Sequence, residues 1–218
     1  MIQISNAGVT SDPEEVERLR AEFSAMNCVR FPQLLDRGLL DFVQRRFGEC
    51  RWKPNPHSDP GGELGLDDTT DDPVTLHLLY FAANLPEFRA LIEKITGSVP
   101  LDVFRGRLYR KIAGSNHYNK WHDDNVDNRR IAMSINLSPR GYSGGLLEMR
   151  KRGTEETQMQ VANTGYGDAI IFRISDQLEH RVTDVEGAEP KVAFAGWFRN
   201  DRPGFIADVV KNSRKAKK

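Results

Sequence analysis

The stretch Lys191-Val192-Ala193-Phe194-Ala195-Gly196-Trp197-Phe198-Arg199 decides the class of fold. It is rich in apolar, aromatic and β-branched side chains, the composition of a strand buried in a sheet. In a strand Lys191, Ala193, Ala195, Trp197 and Arg199 share one face. A cation on an inward face needs an anion, because burying it unpaired is costly. The other option for Lys191 is a strand-end lysine that reaches solvent. Working outward, strands are predicted at 101–112, 129–138, 145–150, 157–162, 168–174, 179–185 and 190–199. Ala113-Gly114-Ser115-Asn116, Pro139-Arg140-Gly141, Gly165-Tyr166-Gly167 and Glu186-Gly187-Ala188 punctuate them as turns. Many short strands with regular turns point to a sandwich or a jelly roll.

The N-terminal part has another character. Ser11-Asp12-Pro13-Glu14 is a helix start, with a capping oxygen, a proline and acids for the first turn. Val16, Leu19, Phe23 and Met26 follow at helical spacing, Asn27 breaks the run, and Cys28 to Phe31 reads as a short strand. A second helix is predicted from Asp36 to Phe47, ended by Gly48, and two more over 74–83 and 86–96, the last ended by Gly97. Between them, residues 53–73 mix Pro54, Pro56, Pro60, Gly61, Gly62, Gly65 and Pro73 with Asp67, Asp68, Asp71 and Asp72. That composition predicts an irregular loop, either a lid or a disordered segment. As a lid, its acids would favour a basic partner. Helices first and strands second make an α+β chain in which the helices can pack on the outer face of a sheet.

Composition sets limits. A chain of 218 residues suits one domain, divided as a helical support region 1–98, a β core 99–200 and a basic tail 201–218. Lys and Arg balance Asp and Glu at 31 each, so bulk charge makes no case for nucleic acid. The five bases between Lys211 and Lys218 are a solvated tail or an arm for an anionic surface. No apolar run reaches membrane-spanning length, and the N-terminus does not look like a signal peptide. With Cys28 and Cys50 as the only cysteines, a disulfide framework or a thiolate cluster is not expected, and the expected setting is cytoplasmic.

The chemistry is concentrated in two short segments. If Trp121-His122-Asp123-Asp124 is extended, His122 and Asp124 point the same way. Leu178-Glu179-His180-Arg181-Val182 opens a late strand, and a jelly roll brings such distant strands side by side. Two imidazoles and one carboxylate would then form a facial triad of the kind that holds non-haem iron(II) with open positions. Alone, His-x-Asp is a weak signal, and a zinc hydrolase could use the same groups.

The run from His122 to Arg199 resembles the iron(II)- and 2-oxoglutarate-dependent oxygenases, in particular their prolyl-hydroxylase-like branch. The matching blocks are His122 to Asn125, Ile131 to Leu137, Gly144 to Glu148, Gly167 to Phe172, His180 to Val182, and Lys191 to Trp197. They cover about the last half of the chain, in the order of a double-stranded β-helix, and the N-terminal helices are similar to that family's supporting helices. The resemblance implies His122, Asp124 and His180 as iron ligands and catalytic centre. It implies Lys191 as partner of the distal carboxylate of 2-oxoglutarate, with Trp197 lining the same pocket and Arg199 as the second candidate cation. The Gly144-Gly145 pair would mark a turn too crowded for side chains. Where relatives carry tyrosines that touch 2-oxoglutarate, this chain has Ile112, with Tyr109 and Tyr118 offset, and Asn136, whose amide could bond a carboxylate.

The implied activity is a dioxygenase using Fe(II), 2-oxoglutarate and dioxygen, with ascorbate as a candidate reductant. It would hydroxylate a C–H bond of a prolyl or other side chain in a protein or peptide. Asp124 favours hydroxylation over halogenation, because halogenating relatives lack that carboxylate. Two alternatives stay open: a free amino acid or small metabolite as substrate, and a catalytically silent β-barrel binding or sensory module. A nucleic-acid substrate is disfavoured by the lack of a basic, aromatic-rich lid.

Overall fold

The computed structural model describes residues 1–59, 62–126 and 128–200. The basic tail, with the expectations attached to it, lies outside the described residues. In chain order the elements are β1 (Ile2–Ser5), β2 (Gly8–Ser11), α1 (Pro13–Met26), β3 (Cys28–Phe31), α2 (Arg37–Phe47), β4 (Lys53–Asp59), β5 (Gly62–Thr70), α3 (Pro73–Ala83) and α4 (Pro86–Thr96). There follow β6 (Val103–Lys111), β7 (Tyr118–Asn119), β8 (Arg129–Asn136), β9 (Ser143–Gly144), β10 (Leu147–Lys151), β11 (Met159–Val161), β12 (Ala169–Arg173), β13 (Leu178–Val182), β14 (Val185–Glu186) and β15 (Lys191–Arg199). No helix among the described residues is long and apolar enough to cross a membrane.

An eight-stranded sheet runs in the order β3-β12-β8-β15-β6-β5-β4, with β7 attached to β5. A three-stranded sheet, β11-β10-β13, stands opposite. The pair is an antiparallel double-stranded β-helix with supporting helices, an α+β arrangement. β15 lies between β8 and β6, paired along both edges and buried along most of its length, which suits its apolar run. On one face Phe194 meets Tyr80 of α3 and Phe104 at 5.5 and 5.4 Å, and Phe198 meets Phe88 of α4 and Phe104 at 6.1 and 4.8 Å. These edge-on and tilted aromatic pairs join the helices to the sheet. On the other face Lys191, Ala195 and Trp197 turn toward the small sheet. The alternation of the strand thus separates a helix-packed core from a cavity.

Caps hold the helices as their sequences require. Asp12 accepts a hydrogen bond from Glu14 N–H at the start of α1, Asp36 from Leu39 N–H on α2, and Asp72 from Thr75 N–H on α3. Asn27 ends α1 with φ of 56°, a left-handed conformation that asparagine tolerates.

Residues 53–73 overturn the expectation of an irregular loop. β4 and β5 form a hairpin that extends the large sheet beyond β6. Pro54 and Pro56 are tolerated because β4 is the terminal strand, where a missing N–H leaves no inner ladder bond unmade. The acids are matched inside the chain rather than offered outward. Asp67 pairs with Arg107 and His57 at 2.6 and 2.8 Å, and Asp68 with Arg110 at 2.9 Å. Asp71 pairs with Lys53 at 3.1 Å, and Asp72 with Arg46 at 2.8 Å. No acid of the hairpin named in the sequence is left over to attract a basic partner. Residues 1–98 are therefore not purely helical: β3, β4 and β5 lie in the same sheet as the core strands.

Candidate active site

A cavity of about 740 Å³ lies between the two sheets. Strand periodicity builds its walls. Arg107, Tyr109 and Lys111 alternate along β6, Ala132 and Ser134 along β8, Ile170 and Phe172 along β12, and His180 and Val182 along β13. The β4–β5 hairpin adds Pro56, His57, Ser58, Leu64 and Asp67 to its rim.

At one end His122, Asp124 and His180 converge, with one donor atom from each within 4.8 Å of the others. The geometry differs from two positions on one strand. His122 forms an isolated antiparallel bridge to His180, through Nα–H to carbonyl bonds of 3.1 and 2.8 Å in both directions. Asp124 then takes a left-handed backbone with φ of 55°. A local reversal, followed by the Val126 N–H bond to Asp124 C=O, turns the carboxylate back onto the imidazoles. The extended spacing pointed to residues that do converge, but through a conformation that only one of them adopts.

Each member of the cluster is held by a neighbour. His122 Nδ1 lies 2.7 Å from Lys120 C=O, so this nitrogen donates and Nε2 keeps its lone pair toward the cavity. Burial, then the nearby His180, lowers the His122 pKa and favours the neutral ring that a metal needs. Phe172 packs on the His180 ring at 4.7 Å. Asp124 Oδ2 faces His180 Nε2 at 3.3 Å and His122 Nε2 at 3.8 Å, and accepts the Trp197 indole N–H at 2.8 Å. Its Oδ1 takes Arg129 at 3.1 Å, and that guanidinium stacks on the Trp197 ring at 3.6 Å. Burial alone would raise the Asp124 pKa. The hydrogen bond to His180 and the neighbouring charges outweigh it and hold the carboxyl far below the usual range.

At the other end Lys191 and Lys111 are both buried, each 3% exposed. Lys191 Nζ donates to Gly145 C=O at 2.5 Å. Burial, then the charge of Lys111, pushes its pKa down to about 7. Gly144 and Gly145 have φ of +67° and +59°. A Cβ on Gly144 would stand 2.1 Å from Asp184 C=O, and one on Gly145 would press on Lys191 Cδ and the Tyr142 ring at 3.0 Å. The crowding expected of this pair is real, and part of it comes from the lysine.

Trp197 lines the cavity and also serves Asp124. Tyr109 and Tyr118 line it, whereas Ile112 does not. Burial raises the Tyr109 hydroxyl to about 12, so it stays a neutral donor. Two expectations fail on geometry. Asn136 is fully buried outside the cavity lining, its amide consumed by Gly165 C=O and Ser138 N–H at 2.9 and 3.1 Å. Arg199 is also outside the lining: it is the last residue of β15, two positions beyond Trp197, and the lining on this strand stops at Trp197. The cation at that end is Arg129. It had no local signal, since its role depends on the pairing of β8 with β15. Lys111 was findable, as the next inward position after Arg107 and Tyr109 on a predicted strand.

The donor set and cavity fit the groups that the resemblance implies. Two imidazoles and a carboxylate can hold a divalent iron and leave positions open. Two buried lysines, together with the Tyr109 and Ser134 hydroxyls in the same lining, fit a polar anion.

Comparison with known proteins agrees. Residues 107–199 match the family model described as the 2OG-Fe(II) oxygenase superfamily. Among solved structures, an oxidoreductase of the 2OG-Fe(II) oxygenase family from Burkholderia pseudomallei is 14% identical. It aligns over 92% of this chain and 97% of its own with a TM-score of 0.64. A Pseudomonas putida prolyl-4-hydroxylase is 18% identical over 86% of this chain and all of its own, TM-score 0.60. The non-haem alpha-ketoglutarate-dependent epimerase SnoN of nogalamycin biosynthesis is 16% identical over 89% of each chain, TM-score 0.62. At these identities the structures share the fold. No curated protein matches the sequence. Through residues 107–199 the chain is similar to the 2OG-Fe(II) oxygenase superfamily, and over most of its length it shares the fold of these solved structures.

Proposed function

We propose that the chain hydroxylates a C–H bond on a protein or peptide side chain, prolyl first, at a centre made by His122, Asp124 and His180. The observation that carries this is the convergence of those three side chains at one end of a cavity whose other end holds two buried lysines. Iron(II) with 2-oxoglutarate and dioxygen supplies the oxidation of the C–H bond, the co-substrate leaving as succinate and carbon dioxide. The residues do the rest. Lys120 C=O fixes the His122 tautomer, Trp197 and Arg129 fix the Asp124 carboxylate, and the apolar Phe172, Ile170 and Leu147 wall keeps bulk water off that end. Lys191 neutralises the distal carboxylate of 2-oxoglutarate. The open rim under the β4–β5 hairpin, with Pro56, His57, Leu64 and Tyr118, receives the substrate side chain. Free Cys28 and Cys50 suit a reducing, cytoplasmic setting.

A small-metabolite substrate has one observation in its favour: the cavity volume is in the range that small-molecule sites use. The test is an anaerobic titration of the metal-free protein with Fe(II) and then 2-oxoglutarate. The visible charge-transfer band of a chelated 2-oxo acid should appear in the wild type and be absent in His122→Ala. Succinate release is then scored with proline-containing peptides and with free amino acids. Release driven only by free amino acids would replace the peptide assignment by the metabolite one.

A further inference from the structure

Lys111 and Lys191 are directly opposite one another in the antiparallel pairing of β6 and β15. Side chains at such positions share a face with Cβ atoms about 5 Å apart, and like charges there repel. Both lysines line the cavity and both are buried. Their hydrogen bonds go to backbone carbonyls: Lys191 to Gly145, and Lys111 to Val182 and Thr183 at 3.3 and 3.5 Å. Among the described residues neither ammonium has a carboxylate within ion-pair distance. Asp184 and Asp67 act on Lys111 only at longer range, against the cost of burial. A fold that buries two lysines side by side, with no carboxylate at ion-pair distance from either among the described residues, is completed by a ligand that brings one.

The position of the pair limits that ligand. Val182, which anchors Lys111, lies two residues along β13 from His180. Two residues of strand span about 7 Å, the reach of a short dicarboxylic acid extended from the His–Asp–His cluster. An ammonium has three donors, and the long bonds of Lys111 leave capacity for another acceptor. Asn163 Oδ1, buried and without a hydrogen-bond partner among the described residues, belongs to a residue that lines the same cavity.

We propose that Lys111 and Lys191 form a two-lysine clamp around the distal carboxylate of 2-oxoglutarate, and that Lys111 makes the site selective for a dicarboxylic 2-oxo acid. This rests on the oxygenase assignment above and deepens it. Lys111 is a binding residue here: it touches co-substrate and takes no part in C–H oxidation. Without the ligand, its charge is a burden on the folded chain.

That last point separates a ligand-binding role from a structural one. In Lys111→Met, equilibrium binding of 2-oxoglutarate to the anaerobic Fe(II)-loaded protein, measured by calorimetry, should weaken at least tenfold. Fe(II) affinity should stay within twofold, and so should binding of pyruvate, which has no distal carboxylate. The melting temperature of the metal-free, ligand-free variant should equal or exceed that of the wild type. Lys111→Arg should restore part of the affinity. If Lys111→Met binds 2-oxoglutarate as tightly as the wild type, or if its melting temperature falls because the Val182 and Thr183 contacts were structural glue, the clamp is wrong and the oxygenase assignment stands. If Lys111→Met does not fold, Lys111→Gln carries the same two measurements. If the wild type itself does not bind 2-oxoglutarate, the oxygenase assignment fails and the clamp fails with it.

Discussion

The two ends of the cavity are built on opposite principles. At the His–Asp–His end each donor is held before any ligand arrives: Lys120 C=O on His122, Phe172 against His180, and Trp197 and Arg129 on Asp124. At the lysine end two cations face each other, and their hydrogen bonds among the described residues go to carbonyl oxygens. The first end is preorganised, so a bound ion meets ligands that need little rearrangement. The second stores an imbalance that the ligand relieves, so part of the binding free energy is present beforehand as repulsion. Geometry decides selectivity at the first end, and charge decides it at the second.

This contrast can be broken at either end. The largest effect is expected from His122→Ala or His180→Ala: turnover should fall by a factor of about a thousand or more, with loss of the charge-transfer band. Retained activity in either purified variant would remove the proposed centre. Next, Lys191→Ala should raise the apparent 2-oxoglutarate requirement by roughly a hundredfold with little change in that for iron, as expected for loss of a buried charge-assisted bond. Arg199→Ala should leave both unchanged, and a steady-state comparison of the two variants separates the cations. At the preorganised end, Trp197→Phe should lower iron affinity by about tenfold, the usual scale for losing a group that orients a metal ligand. Metal titration of the folded variant reads that loss directly, and unaltered affinity would mean that the indole only packs.

The lysine end also predicts a pH dependence. In the ligand-free chain Lys191 is depressed from 10.5 to about 7, by burial first and by Lys111 second. A lysine with a lowered folded pKa penalises the folded state where it must be charged. The ligand-free protein should therefore gain stability as pH rises from about 7 toward 10.5. Binding of 2-oxoglutarate restores the charge, so it should take up a proton in that window and weaken by up to about tenfold per pH unit. The groups facing Lys191 are Lys111 and Tyr142, neither of them an acid. Calorimetry at pH 8 in two buffers of different ionisation heat measures the uptake, and equal heats would contradict it. A much smaller effect is expected far from both ends. Asp72 caps α3 and pairs with Arg46, whose hydrogen bond leads the causes that lower its pKa to about 2. Asp72→Ala should cost about 1 kcal/mol in denaturant melts without changing 2-oxoglutarate binding. The wild-type contribution should fade as pH falls from about 4 toward about 2, through the lowered pKa.

Much of this molecule is legible in its sequence, for local reasons. Caps, helix stops and strand alternation act within a few residues. Asp12, Asp36 and Asn27 therefore set helix ends, and the run from Lys191 to Trp197 shows which side chains face inward. The converging trio His122, Asp124 and His180, and the buried Lys191, could be named because each lies in a recognisable block. Tertiary structure decided what depends on a partner distant in sequence. The Pro- and Asp-rich segment 53–73 becomes a hairpin because β6 offers Arg107 and Arg110 to its acids and the sheet edge tolerates its prolines. Asn136 is consumed by a turn, Arg199 falls beyond the end of the cavity lining, and Arg129 is drawn onto Asp124 by the pairing of β8 with β15. The sequence alone shows which residues can carry charge and bind metal. Only the pairing of strands, which sets every inter-strand distance, places two lysines side by side.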